Sequence, residues 1–180
     1  MKKAIVLVNL GSPDSYEVKD VKEYLREFLM DERVIDKPYW FRYALIEGII
    51  LKTRPAKSAE AYKSIWWEDG SPLIVLSKQL QAEVQKHTDL PVGLGMRYGN
   101  PSIEQGIRDL VQQHPDLEEV YMIPLYPHYA MSSYETVVVK AREVADREFP
   151  KLNLRIKDVF YNDSRYLDSL AASIKPSLEK

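Results

Sequence analysis

Two short, uninterrupted apolar runs limit the folds open to this chain more than any other feature. Residues 4–8 read AIVLV, and residues 120–123 read VYMI. A strand that lacks alternating polar residues has no face suited to water, so it needs cover on both sides. Such strands are typical of parallel sheets that lie between two layers of helices. The runs therefore predict an α/β fold.

Amphipathic segments of helical length separate these runs from two further candidate strands. Strands are predicted at residues 3–10, 90–96, 118–123 and 152–159, and helices at 18–29, 38–51, 55–67, 72–87, 102–113, 136–149 and 164–178. Strands that alternate with helices predict a four-stranded parallel sheet, with the first strand central and helices on both faces. Because compact doubly wound domains usually have five or more strands, we expect further structure beyond the last helix.

Prolines and small polar residues predict where several helices begin. Asp14 or Ser15 is placed to cap the first helix, and Ser102 precedes the helix that follows the second strand. Ser71 followed by Pro72 combines a capping residue with proline at the first helical position.

The stretch IPLYPHYAMSSYET, residues 123–136, leaves the third strand through two prolines. Pro124 and Pro127 lack the N–H that a central strand needs, so the strand is predicted to end here. The stretch is then a strand-to-helix loop that carries Tyr126, His128 and two serines. In parallel α/β sheets such loops lie at the carboxyl ends of strands, where ligands bind.

The composition excludes several classes of function. The chain has no cysteine, which excludes a disulfide scaffold, a thiolate zinc site and a cysteine nucleophile within these residues. A net charge of −2 gives no general attraction to nucleic acid, so no nucleic-acid partner is expected. The first apolar run is too short for a secretory signal, which makes the cytoplasm the expected location.

The most apolar segment, residues 39–51, reads YWFRYALIEGIIL. Arg42 and Glu47 interrupt it, and it is shorter than the roughly 20 residues that a membrane-spanning helix needs. We expect a buried or interfacial helix. Two roles stay open for it, a structural or cleft-lining one and a peripheral contact with a membrane surface.

Two regions carry groups that suit an anion. Lys52, Arg54 and Lys57 surround a predicted helix start, where backbone N–H groups already favour negative charge, and Ser71 lies at another. A solvated basic face with ordinary caps is the alternative. The turn after the first strand has a single glycine, Gly11, and the chain has no G-x-G-x-x-G motif, so a dinucleotide site is not expected.

Arginine and histidine also occur at predicted strand ends. Arg97 and Tyr98 follow the second strand, and an arginine there has little structural reason to be present. His128 is a base, a metal ligand or a satisfied polar loop residue, and no second histidine or carboxylate lies near it in sequence to favour a metal site. His87 and His114 fall at predicted helix C-termini, where a positive charge is favourable, so both are interpreted as structural.

Five motifs, VLVNLGSP, RPAKSAEAYKSIW, GSPL, MRYGNPS and PLYPHYAMSS, occur in the order and spacing of the ferrochelatases. The chain resembles this family over essentially all of its length. Ferrochelatases are lyases of haem synthesis that insert Fe²⁺ into a porphyrin, protoporphyrin IX or coproporphyrin III. The resemblance implies a chelatase-type fold, in which two similar Rossmann-like halves enclose a porphyrin cleft.

The resemblance also implies roles for individual residues in porphyrin binding. Positions beside the macrocycle match Leu10, Ser12, Phe28 and Leu29. The region that holds the propionates matches Arg54, Lys57 and Ser71. The inner wall near the metal matches Arg97 and Tyr98, and the aromatic loop matches Tyr126. Leu10, Phe28, Leu29, Arg97 and Tyr126 are expected to line one side of the cleft.

Two departures from the family pattern carry further expectations. Met131 stands where some members place a cysteine that holds a [2Fe–2S] cluster, so no such cluster and no other cofactor is expected. None of the three histidines has the setting of the family's proton-accepting, metal-binding histidine. Residues 1–180 therefore resemble an N-terminal half, without a catalytic or metal-binding residue, whose C-terminal half is absent and acts as its partner.

The chemistry agrees with that division. A porphyrin loses two pyrrole protons as Fe²⁺ enters, which requires a base, and arginine and tyrosine are poor bases at neutral pH. This part of the protein is predicted to recognise porphyrin and to be inactive in metal insertion by itself. The alternative is a self-contained α/β anion-binding domain or a small tetrapyrrole-chelatase-like domain.

Overall fold

The computed structural model describes residues 2–178 and contains one four-stranded parallel sheet. The strands are β1 (Lys2–Asn9), β2 (Val92–Met96), β3 (Leu117–Pro124) and β4 (Asn153–Ile156), in the order β2-β1-β3-β4. Every pair is parallel, and Val6 aligns with Gly93 on one side and with Met122 on the other. The predicted parallel sheet with an internal first strand is confirmed.

Helices cover both faces of the sheet, as the apolar runs require. One face packs on α6 (Ile103–Gln113) and α7 (Thr136–Glu148) through a cluster that includes Val6, Val8, Ile107, Val120, Met122 and Val144. The other face packs on α5 (Pro72–Lys86) through Leu7, Leu94, Met96 and Ile74. Side chains alternate between the two layers along each strand.

The long excursion between β1 and β2 forms a helical layer with an apolar cluster of its own. It comprises α1 (Val18–Met30), α2 (Tyr39–Leu45), α3 (Leu51–Thr53) and α4 (Pro55–Ile65). The cluster holds Val21, Leu25, Leu29, Ile46, Leu51 and Ala59. Because this cluster is separate from the sheet's two cores, the excursion can form one wall of a groove beside the sheet edge.

Two helices depart from simple α-geometry. The predicted helix over residues 38–51 is α2, a π-helical segment (Ile46–Ile50) and α3, and a second π-helical segment (Met131–Glu135) leads into α7. Such segments occur often at functional sites. The spacing of apolar residues in the sequence does not reveal this irregular hydrogen bonding.

The predicted caps are confirmed in part. Ser102 caps α6, since its hydroxyl accepts a hydrogen bond from the N–H of Gln105 at 3.1 Å. The expectation for α1 was wrong, because Glu17 is its N-cap residue and makes no side-chain cap. Ser71 precedes α5, but its hydroxyl does not cap that helix.

The helix α8 (Ser164–Leu178) follows β4 and has no buried residue. Leu167, Leu170, Ile174 and Leu178 lie three or four positions apart and are all exposed. Among the described residues, no helix is long and apolar enough to cross a membrane.

Candidate functional site

The carboxyl ends of β1 and β2 are joined beyond the sheet. The N–H of Arg97 donates to the Asn9 carbonyl at 2.8 Å, and the N–H of Tyr98 donates to the Leu10 carbonyl at 2.9 Å. Gly11 has φ of +104°, and a Cβ there would lie 1.8 Å from the Tyr98 carbonyl oxygen. Only glycine fits such a close approach with this backbone. The turn after β1 therefore fixes Leu10 beside Tyr98.

A buried carboxylate, that of Asp31 at the end of α1, organises this edge of the sheet. Its side chain is 4 % exposed. It accepts hydrogen bonds from Nη2 of Arg97 at 2.5 Å and from the hydroxyl of Tyr98 at 2.9 Å. The hydroxyl of Thr136 donates to the same oxygen, and the N–H of Arg33 donates to the other at 2.8 Å. Asp31 thus ties α1 to β2 and to the start of α7.

The charges of these groups follow from their surroundings. Burial by itself raises the pKa of Asp31. Hydrogen bonds from Thr136, Arg33 and Tyr98, together with the charge of Arg97, outweigh burial and hold that pKa below its usual value. Burial is also the main cause that raises the pKa of Tyr98 and Tyr126 well above the usual value. At neutral pH the carboxylate is ionised and the phenols are not.

A row of aromatic rings runs from this cluster across α1 to α4. Tyr98 meets Phe28 edge-on at 5.2 Å, and Phe28 stacks on Tyr24 at 6.1 Å. Tyr24 then meets Tyr62 at 6.3 Å, and Tyr62 meets Trp66 at 6.3 Å. Phe28, Tyr62 and Trp66 are partly exposed along this row, whereas Tyr24 and Tyr98 are buried.

The basic residues lie at the start of α4, the helix that carries Tyr62. Arg54 immediately precedes α4 and is exposed, as is Lys57 in its first turn. Burial raises the pKa of Tyr62, and the charge of Arg54 opposes this rise. Ser71 is buried at the start of α5. No salt bridge joins Arg54 or Lys57 to a carboxylate within residues 2–178.

The remaining predicted site residues differ in how far they reach the groove. Leu10 is partly exposed, and so is Tyr126, which follows β3, while Arg97 follows β2. Arg97 and Tyr126 thus lie at the same edge of the sheet. Leu29, which is 7 % exposed, packs inside the apolar cluster of the excursion instead. Its expected lining role stays a prediction that its burial does not favour.

Two buried hydroxyls at this edge have no hydrogen-bond partner among the described residues. They are Oγ of Ser12 and the phenol oxygen of Tyr126. Buried polar groups are usually paired, so unpaired ones mark places where a bound molecule can supply the partner. Both belong to the set that the sequence motifs indicated.

His128 lies on the outer part of the loop after β3. Its ring is exposed and stacks on Tyr161 at 5.5 Å with an interplanar angle of 15°. No carboxylate among residues 2–178 bonds to it. In the same part of the chain, no three His, Cys, Asp or Glu side chains group as they would around a metal ion.

Sequence reasoning missed Asp31, Thr136, Tyr24 and Tyr62. Asp31 is 66 residues from Arg97 in sequence, so no local pattern connects the two residues. The one signal available was Arg97 itself, since an arginine at a buried strand end requires a partner.

Comparison with known proteins decides the family. A profile of the ferrochelatase family matches residues 2–180. The chain belongs to the ferrochelatase family. It is 48 % identical over 180 residues to a ferrochelatase of Stutzerimonas stutzeri, covering 99 % of this chain and 52 % of that protein. A ferrochelatase of Opitutus terrae is 48 % identical over 177 residues, which cover 97 % of this chain and 51 % of that protein.

A ferrochelatase of Azotobacter vinelandii is also 48 % identical, over 178 residues that cover 98 % of this chain and 52 % of that protein. The chain therefore spans about half the length of the curated relatives it matches. The parallel sheet with helices on both faces agrees with a chelatase-type, Rossmann-like fold.

Proposed function

We propose that this chain is the porphyrin-binding half of a ferrochelatase, which inserts Fe²⁺ into a porphyrin to form haem. The observation that carries the proposal is the aromatic row from Tyr98 to Tyr62, with Arg97 over the Tyr98 ring and Arg54 at the start of the helix that carries Tyr62. A porphyrin is a flat aromatic ring with carboxylates on its edge. An apolar wall with few, well-placed polar groups is typical of sites for such ligands.

Each part of the row has a role in this proposal. Phe28 and Leu10 contact the macrocycle, since both are partly exposed at the groove. Arg54 and Lys57 hold the propionates, because they are exposed cations with no carboxylate partner in the described part of the chain, and they lie at the start of α4. An anion is favoured there by the N–H groups of the helix as well.

The side chains of this half also explain why it would bind without catalysing. Metal entry requires a group that accepts pyrrole protons at neutral pH. The phenols of Tyr98 and Tyr126 keep their protons, and the Asp31 carboxylate already accepts four hydrogen bonds. Neither kind of group is a suitable base. In this proposal the base, and the ligands that deliver Fe²⁺, come from the C-terminal half of the protein.

Replacing Arg54 with alanine is expected to weaken porphyrin binding by the full-length protein roughly tenfold to hundredfold. The reason is that a hydrogen bond to a charged group contributes about 1.5–3 kcal/mol. The measurement is a Soret-band titration with protoporphyrin IX and, separately, with coproporphyrin III.

The matched control for this titration is Lys86→Ala. Lys86 lies in the last turn of α5, next to the start of β2, and so at the opposite edge of the sheet. This variant removes the same charge and is expected to bind porphyrin like the unmodified protein. Equal affinities for Arg54→Ala and the unmodified protein would reject the propionate role of Arg54.

We further propose that α2 contacts the surface of a membrane while the protein remains in the cytoplasm. Tyr39 and Trp40 are 64 % and 70 % exposed, and Phe41, Tyr43 and Ile49 are exposed beside them. Aromatic side chains in this number are favoured at the interface between water and lipid headgroups. Lys52 follows closely, is exposed and would attract anionic lipids.

Trp40→Glu is expected to reduce binding to vesicles of phosphatidylglycerol and phosphatidylethanolamine by at least about fivefold, because a charge replaces the most exposed ring. Co-sedimentation of the full-length protein measures this. Trp67→Glu is the control, since Trp67 is also exposed but follows α4 in the chain and is not part of α2. A similar effect of both variants would show that α2 is not the contact.

A further inference from the structure

The Arg97 guanidinium is held in place by three different contacts. Its Nε donates to the hydroxyl of Thr136 at 2.6 Å, and its Nη2 donates to Asp31 at 2.5 Å. The centre of the guanidinium lies 4.2 Å from the centroid of the Tyr98 ring. These contacts use one edge of the planar group and one of its faces. The side chain therefore has little rotational freedom.

The opposite edge of the guanidinium is available. Nη1 has no hydrogen-bond partner among residues 2–178, and it is not one of their buried unpartnered atoms. The Arg97 side chain is 13 % exposed, whereas the Asp31 side chain is 4 % exposed. The arginine is therefore the more accessible member of the pair, and the carboxylate is almost fully covered.

We infer that Asp31 is a positioning residue that fixes the orientation of Arg97 and cancels its charge at the wall that faces the bound substrates. The inference rests on the proposed function, because it requires that Fe²⁺ enters the groove. A lone arginine at this wall would repel a divalent cation in the weakly screened surroundings of a buried site. With Asp31 behind it, the wall offers an N–H donor without a net positive charge.

Fixing the orientation of Arg97 and cancelling its charge both require a carboxylate at residue 31. Asparagine in place of Asp31 keeps the shape of the side chain but removes the negative charge. Arg97 would then keep its full charge, and its Nη2 would bond at most to a neutral amide oxygen, a weaker contact than the present charge-assisted bond. The Asp31 carboxylate also accepts hydrogen bonds from the hydroxyls of Tyr98 and Thr136, so it aligns these neighbouring side chains as well.

The first test uses Asp31→Asn in the full-length protein, in a steady-state insertion assay with Zn²⁺ and Fe²⁺ as probes. We expect the KM for the metal to rise about tenfold while the KM for porphyrin changes less than about twofold. The double variant Asp31→Asn/Arg97→Gln has a neutral wall again, and we expect its metal KM to return to within about twofold of the original value.

The control for this test is Glu104→Gln. Glu104 accepts bonds from Arg108 and Arg147 on the outer surface of α6, so the variant removes a carboxylate from an arginine pair elsewhere. Its kinetic constants are expected to be unchanged. An unchanged metal KM in Asp31→Asn, or an equal rise in both KM values, would overturn the inference. So would failure of the double variant to lower the metal KM.

A second measurement does not depend on activity. Nitrogen-15 NMR of the arginine side chains is expected to show separate Nη1 and Nη2 signals for Arg97 in the unmodified protein, because its rotation is blocked. Asp31→Asn should merge them. Absence of separate signals in the unmodified protein would reject the positioning role even if Asp31→Asn fails to fold. A protein without insertion activity but with separate signals would count against the proposed function alone.

Discussion

Arg97→Ala is expected to lower the free energy of unfolding of the full-length protein by about 3–5 kcal/mol, because it leaves the buried Asp31 carboxylate without its counter-ion. Asp31 is almost inaccessible to water and cannot be solvated in place. Urea unfolding at neutral pH, followed by circular dichroism, measures the change. Few single substitutions at strand ends have effects of this size.

The control is the double variant Arg97→Gln/Asp31→Asn, in which two neutral amide side chains replace the ion pair. Removing both charges avoids the unpaired buried carboxylate, so the loss of stability should be clearly smaller than for Arg97→Ala. If the double variant is as unstable as Arg97→Ala, the pair does not make the expected contribution. A loss below about 1 kcal/mol for Arg97→Ala would contradict the burial argument directly.

This expectation changes how Arg97 variants are to be interpreted. The sequence suggested that Arg97 binds substrate, and on that basis a loss of porphyrin affinity in Arg97→Ala would indicate a lost contact. Since Asp31 pairs with the guanidinium, the same loss would also follow if the unpaired carboxylate left in Arg97→Ala disturbed its surroundings. Arg54 has no carboxylate partner among residues 2–178, so Arg54→Ala reports on binding more directly.

The sheet could be predicted because its signals are local. The runs at residues 4–8 and 120–123 have no polar face, and Pro72 and Ser102 lie where helices begin. The prediction for residues 38–51 gave a helix but not its π-helical segment. Apolar periodicity reports which residues are buried, and it does not report a local change in hydrogen-bond register.

Of the site residues, only those that follow the ends of strands could be predicted from the sequence. Arg97 and Tyr126 follow strands that lie side by side with β1, so the sheet order brings them to one edge. Asp31 reaches the same edge only because the helical excursion packs on itself and turns the end of α1 toward β2. That packing depends on contacts between distant residues such as Leu29 and Ile46, which no local pattern reveals.

The second large effect concerns catalysis, since a polypeptide of residues 1–180 is expected to show no measurable metal insertion. The candidate base in this part is His128, and its geometry is unfavourable. The imidazole is exposed on the outer loop and stacks on Tyr161, and no described carboxylate fixes its tautomer. A groove open to water on one side would also weaken the electrostatic guidance of the substrates. Zinc- and iron-insertion assays that compare this polypeptide with the full-length protein measure the difference.

The matched variant is His128→Ala in the full-length protein, which should retain activity within about twofold because an exposed imidazole is not expected to accept the pyrrole protons. If the 180-residue polypeptide inserts metal and His128→Ala abolishes this activity, the base lies in this half. That result would favour a self-contained chelatase domain. Insertion only by the full-length protein would support the division proposed here. In that case the row from Tyr98 to Tyr62 recognises the porphyrin, and the base lies on the other side of the cleft.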